Sequence, residues 1–174
     1  MGFAAIQVLG ERHRVRIEQR TLSPSDDRPA GVYGDYEDRD HVVRLLMPLT
    51  MMNESGEALR GVKISLQDLL IVCDDVNLPL GTLRLRPHGS AGGHHGLESC
   101  LEVLGTEQVA RLRVGVGITA LPQDLHDFVL SPFSSAERPL MQRMVEQAAD
   151  ACEIWVLEGV EVAMNRFNRA DDVS

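Results

Sequence analysis

The chain has 174 residues, a length that suits one domain and lets a folded chain bury roughly 70% of its extended surface. Hydrophobic residues make up 44% and charged residues 25%, and 26 acids against 17 basic residues leave a formal net charge of −9. That is the composition of a soluble globular protein, and it excludes one that wraps nucleic acid by bulk charge. Cys73, Cys100 and Cys152 are an odd number, widely spaced, so they form neither a disulfide framework nor a C-x-x-C site, and a reducing cytoplasm is the expected setting. No apolar run approaches a membrane span, and Glu11, Arg12 and Arg14 interrupt the opening stretch where a signal peptide would be apolar.

The elements follow in chain order. Phe3, Ile6 and Leu9 recur at helical spacing and predict a helix over 3–12. Residues 21–30, rich in Pro, Ser and Asp, read as a loop. Strands are expected at Gly31–Tyr36 and His41–Met47, joined by a wet, charged turn that takes in Asp35 to Asp40, with Pro48 ending the second. Asn53–Leu59 suits a short helix. Ser65–Asp68 resembles a cap leading into a buried strand, Leu69–Cys73. Leu83–Arg86 alternates faces as a strand, Gly96–Leu104 follows a glycine-rich loop as a helix, and Leu112–Gly117 is another strand. From Ser134 to Asn168 the pattern is helical, broken near Gly159. Strands alternating with helices imply an α/β layered fold.

Chemistry concentrates between Asp74 and His95. Asp74 directly follows a buried strand, and ligands in open α/β sheets sit beyond the carboxyl ends of strands. A carboxylate there can orient a histidine and stabilise its protonated form, or simply cap a turn. The stretch Gly89–Gly93 leads into a helix start, a place where backbone amides bind anions, but it is neither a Walker A loop nor G-x-G-x-x-G in its proper context. His88, His94 and His95 fit no structural zinc motif, so no metal is expected; no G-x-S-x-G elbow is present either. Arg84 and Arg86 share one strand face, and Arg111 and Arg113 repeat the arrangement. Four guanidinium groups on one side of a sheet would suit phosphates. Residues 74–118 carry four arginines against five acids and residues 119–174 four against ten, so most of the acid lies away from this region.

Four stretches in register, Met52-Asn-Glu-Ser-Gly56, Asp74-Asp-Val-Asn-Leu-Pro-Leu-Gly81, Gly92-Gly-His-His-Gly-Leu97 and Arg111-Leu-Arg-Val-Gly-Val-Gly117, resemble bacterial peptidyl-tRNA hydrolase from Gly2 to about Phe167. The resemblance implies a single α/β domain with a mixed sheet flanked by helices. It also implies hydrolysis of the ester joining a peptide to the 3′ ribose of tRNA, a cytoplasmic monomer acting on peptidyl-tRNA, and no metal or other cofactor, since a positioned water and a base suffice for an ester. Asn53 would match the substrate-binding asparagine, Asp74 the aspartate that orients the base, Met51 the position beside the peptidyl end, and Arg84 and Arg86 the basic residues meeting tRNA phosphate. His95 stands where the family places asparagine, and an imidazole lacks the amide's paired donor and acceptor. The family opens with a strand carrying G-L-G-N-P-G and, later, T-R-H-N with the general-base histidine, just before a helix start; this sequence opens with Met1-Gly-Phe3. Either the start lies upstream of Met1, or this is a short homologue that has lost hydrolysis and kept RNA binding.

Overall fold

The computed structural model describes residues 1–22, 28–117 and 138–168. Helix α1 spans Gly2–Arg12, where Ala5 and Leu9 lie one turn apart on the buried face. Three strands follow: β1 (Gln19–Leu22), β2 (Pro29–Asp38) and β3 (His41–Pro48), paired antiparallel in the order β1-β2-β3. Strand β1 was expected to be loop in its second half. Gln19 to Leu22 is a short polar edge strand, and it pairs Gln19 with Tyr33 by backbone bonds that carry no hydrophobic signal. Of the rest of that expected loop, residues 23–27 lie outside the described residues, and Pro29 and Ala30 already belong to β2.

The charged run from Asp35 to Asp40 is a strand end more than a loop. Asp38 pairs with His41, leaving Arg39 and Asp40 as a two-residue turn, and Arg39 takes φ +52°. Buried Tyr36 alternates with exposed Asp35 and Glu37. Asp35 is tolerated because Arg44 stands directly opposite and grips it with two bonds, Nε to Oδ1 at 2.8 Å and Nη2 to Oδ2 at 2.7 Å, while stacking 4.1 Å over Tyr33.

Two 3-10 segments, Met52–Leu59 and Leu66–Asp68, lead into β4 (Leu70–Pro79), followed by β5 (Leu83–Arg86), α2 (His95–Leu104) and β6 (Ala110–Gly117). The second sheet has the order β4-β6-β5, with β4 parallel and β5 antiparallel to β6. The mixed pairing expected of the whole is confined to this sheet. The glycines of Val-Gly-Val-Gly serve close approach: a Cβ on Gly115 would overlap the Pro79 carbonyl oxygen, and one on Gly117 that of Val76. Two C-terminal helices, α3 (Arg138–Glu158) and α4 (Val160–Phe167), meet at Gly159 with φ +86°.

One face of the second sheet, with Leu83, Leu85, Leu112 and Val114, packs on α1, α3 and α4 through Leu9, Met144, Ala148 and Ala163. On the other face Cys73 and Val109 pack under Leu97 and Leu101 of α2. The three cysteines are all buried. Strands β3 and β4 are both edge strands, and the space between their facing edges is a cavity of about 320 Å³.

Candidate active site

The cavity is mostly apolar, walled by Ile6 of α1, Leu46 and Pro48 of β3, Leu70 to Cys73 of β4, and Leu97 and Cys100 of α2. Its polar groups gather where Asp74 meets His94, with Ser55 and Arg44 elsewhere on the wall. Asp74 is the fifth of the ten residues of β4: the strand expected to end at Cys73 runs on to Pro79, and its alternation sends Asp75 to the opposite side. There buried Asp75 pairs with Arg113, Nε to Oδ2 at 2.9 Å, and accepts the Asn77 amide at 2.9 Å.

His94 Nε2 stands 4.0 Å from Asp74 Oδ1. This imidazole, first among the causes, holds the Asp74 carboxyl below the ordinary carboxylate range, against the opposing effect of burial. Asp74 is therefore ionised at neutral pH. His94 is also the N-cap of α2, and its Nδ1 accepts the Leu97 N–H at 3.0 Å. That bond fixes Nδ1 as an acceptor and puts the proton on Nε2, toward Asp74. With Nδ1 taken by the cap bond and the proton on Nε2, the neutral ring has no lone pair free for a water; the 4.0 Å from Nε2 to Asp74 is longer than a hydrogen bond. Neither the cap bond nor the contact with Asp74 follows from the spacing of the histidines.

The other sequence-derived residues divide. The segment Met52–Leu59 is pinned to α2, because Gly56 N–H donates to buried Ser99 Oγ at 3.0 Å. Met52 Sδ packs over Gly96, where an added Cβ would come within 2.6 Å of it. This brings Met52 into the cavity wall, while Met51 (73% exposed) and Asn53 stand exposed outside it. His95 does not join the site: the first residue of α2, it turns to solvent beside Glu98, Nδ1 to Oε2 at 3.5 Å, because one helical step swings it away from His94. The described residues hold no group of three or more His, Cys, Asp or Glu that could bind a metal, and no helix long and apolar enough to cross a membrane.

The register does put the four arginines on one face, Arg84 opposite Arg113 and Arg86 opposite Arg111. Exposure then separates them. Arg84 and Arg86 are exposed and make no ion pair with a described residue. Arg113 is paired to Asp75, and Arg111 is buried and bonded to three backbone carbonyls. The four-arginine phosphate patch is corrected to two open guanidinium groups over two that support the neighbouring loop.

An α/β fold with a mixed sheet, and an ionised carboxylate facing an imidazole on the wall of an apolar cavity, set the class of protein to look among. The chain belongs to the peptidyl-tRNA hydrolase family: the family's sequence profile, described as "Peptidyl-tRNA hydrolase", matches residues 1–173. The peptidyl-tRNA hydrolase of Syntrophomonas wolfei is 38% identical over 172 residues, 97% of this chain and 89% of that one. The protein of the same description from a Synechococcus strain is 44% identical over 162 residues, 90% of this chain and 72% of that one. Among solved structures, peptidyl-tRNA hydrolase from Acinetobacter baumannii superposes with a TM-score of 0.82 at 28% identity, covering 95% of this chain and 83% of that one.

Proposed function

We propose that this protein hydrolyses the ester between a peptide and the 3′ ribose of tRNA, releasing both for reuse in translation. The observation that supports this reading most is the Asp74–His94 pair in its apolar cavity. In the reaction water attacks the ester carbonyl, the bond to the ribose oxygen breaks, and a base takes the water proton and returns it to that oxygen. Asp74, ionised, orients the imidazole that serves as the base. Asn53 and Met51, just outside the cavity, meet the peptidyl end. Arg84 and Arg86 meet tRNA phosphate. The site is built within one chain, which suits a monomer.

A second reading, in which the chain binds tRNA without turnover, is favoured by His94 itself. It is the one histidine on the cavity wall among the described residues, and its Nδ1 lone pair is taken by the Leu97 amide. Single-turnover cleavage of N-acetyl-aminoacyl-tRNA and filter binding, on the same 174-residue preparation, separate the two. Hydrolysis is expected to run about 10²–10⁴ below the rate a positioned base gives, with tRNA bound, and Asp74→Asn should lower the residual rate at unchanged affinity. Binding with no cleavage at all would leave the second reading; absence of tRNA binding would remove both.

A further inference from the structure

Arg111 is 2% exposed, which is rare for an arginine. Its Nε donates to the Val109 carbonyl at 2.9 Å, Nη1 to that of Ser90 at 3.1 Å and Nη2 to that of Glu107 at 3.2 Å. A guanidinium carries its five donors in a rigid plane, so it can join acceptors from separate segments that no lysine could span together. Ser90 belongs to the glycine-rich loop between β5 and α2; Glu107 and Val109 belong to the link between α2 and β6. Alongside, the Gly89 amide donates to the Glu107 carbonyl at 3.1 Å. Among the described residues no carboxylate forms an ion pair with Arg111, and burial pushes its pKa down. Burying a cation against carbonyl dipoles alone is costly, so it is more than generic packing.

The loop lies directly on these side chains. A Cβ on Gly92 would come 2.9 Å from Arg113 Nη2, and one on Gly89 3.7 Å from Arg111 Nη1. Gly92 and Gly93 take φ +61° and +84°, which glycine alone adopts readily. The loop starts after Arg86, on the open cationic strand, and ends at His94, which faces Asp74.

We propose that Arg111 is a positioning residue: by pinning the loop 87–93 to the α2–β6 link, it fixes the open arginine strand relative to the Asp74–His94 pair. A substrate bound by its phosphate at one and its ester at the other needs that separation held. The affinity part of this inference rests on the reading that Arg84 and Arg86 meet tRNA phosphate; the loop part does not.

Arg111→Lys keeps the charge and loses the planar fork; Arg111→Met loses both at similar volume. For each, amide exchange over residues 87–95 and tRNA affinity across salt concentrations are measured. Both variants are expected to speed exchange at Gly89 and His94 by about tenfold or more relative to β6 amides, and to weaken tRNA binding about tenfold, because donors to several carbonyls are lost. Lysine should not rescue the affinity. Full rescue by lysine would make the charge itself the operative feature and overturn the proposal. Unchanged loop exchange in Arg111→Lys, or exchange raised uniformly through the protein with affinity intact, would overturn it as well. If exchange is local and affinity is unchanged in these variants and also in Arg84→Ala/Arg86→Ala, the phosphate reading fails and the affinity part falls with it, while the pinning of the loop stands; if only the latter pair loses affinity, the positioning claim alone fails.

Discussion

Asp74 and Asp75 are adjacent in sequence and opposite in circumstance. One faces His94 in the cavity between the sheets; the other is buried against Arg113 beneath the glycine loop. His94 does two jobs, capping α2 and drawing the Asp74 pKa down. His94→Ala removes the cap, an effect of about 1 kcal/mol, and the midpoint of thermal unfolding should fall by about 2–4 °C. His94→Asn, which can still accept the Leu97 amide, should recover most of that loss. Carboxyl titration by NMR should show the Asp74 pKa rising in His94→Ala toward the ordinary value. The sign follows from its direction. A depressed carboxyl contributes stability above its unfolded pKa of about 3.9, and that contribution is lost as pH falls through the lower folded value. A Asp74 pKa unmoved by removal of the imidazole would rule out His94 as the cause. Asp74 drew notice in the sequence as a carboxylate following an apolar run, a local pattern, although the strand itself runs on to Pro79. Its partner's tautomer was not legible there, since that depends on a hydrogen bond to Leu97 and on two elements meeting.

Strand β5 shows what an element can and cannot announce. Leu83-Arg-Leu-Arg86 alternates so cleanly that its bounds agree with the observed ones, buried leucines inward and arginines outward. Nothing in that pattern says what closes its outer edge. Asn168, just beyond α4, does so with one side chain: its Oδ1 accepts the Leu85 amide at 2.6 Å and its Nδ2 donates to the Leu85 carbonyl at 2.9 Å. The amide imitates a residue of a neighbouring strand. Asn168→Ala should therefore cost about 1–3 kcal/mol in a urea titration and raise exchange at Leu85 before other β5 and β6 amides. Asn168→Asp should cost more, because a carboxylate would face the Leu85 carbonyl. No change in either variant would mean that α4 holds its place without the clamp. The helix break at Gly159 was legible from glycine chemistry alone; the pairing of β1 and the clamp were not, because both are contacts between distant parts of the chain.

Across the whole molecule the charge of −9 is arranged rather than spread. Acids on α3 are drawn onto α1, where Arg12 meets Glu146 at 2.6 Å, Asp150 at 2.8 Å and Glu153 at 3.1 Å, and His13 meets Glu153 at 3.0 Å. The open guanidinium groups of Arg84 and Arg86 stand on a different strand, over the second sheet. With Arg84→Ala/Arg86→Ala, tRNA affinity should fall and the slope of log K against log salt should flatten by about 1.4–1.8, two phosphate contacts' worth; an unchanged slope would remove the pair from the interface. Spacing put Arg84 with Arg86 and Arg111 with Arg113 on one face of each strand; the register then brings the two pairs together. Spacing could not tell which of them the glycine loop would cover, because cover comes from residues that are far along the chain or without side chains. The burial of the three cysteines carries a practical consequence. Burial pushes the thiols of Cys73 and Cys152 up to about 12 and that of Cys100 to about 11, so the reactive thiolate is scarce at neutral pH and shielded when it forms. Alkylation must wait for the fold to open. Cys73 and Cys100 flank the cavity and Cys152 sits on the buried face of α3, so each thiol is a built-in clock for the opening of its own part of the molecule, read by mass spectrometry without any introduced label.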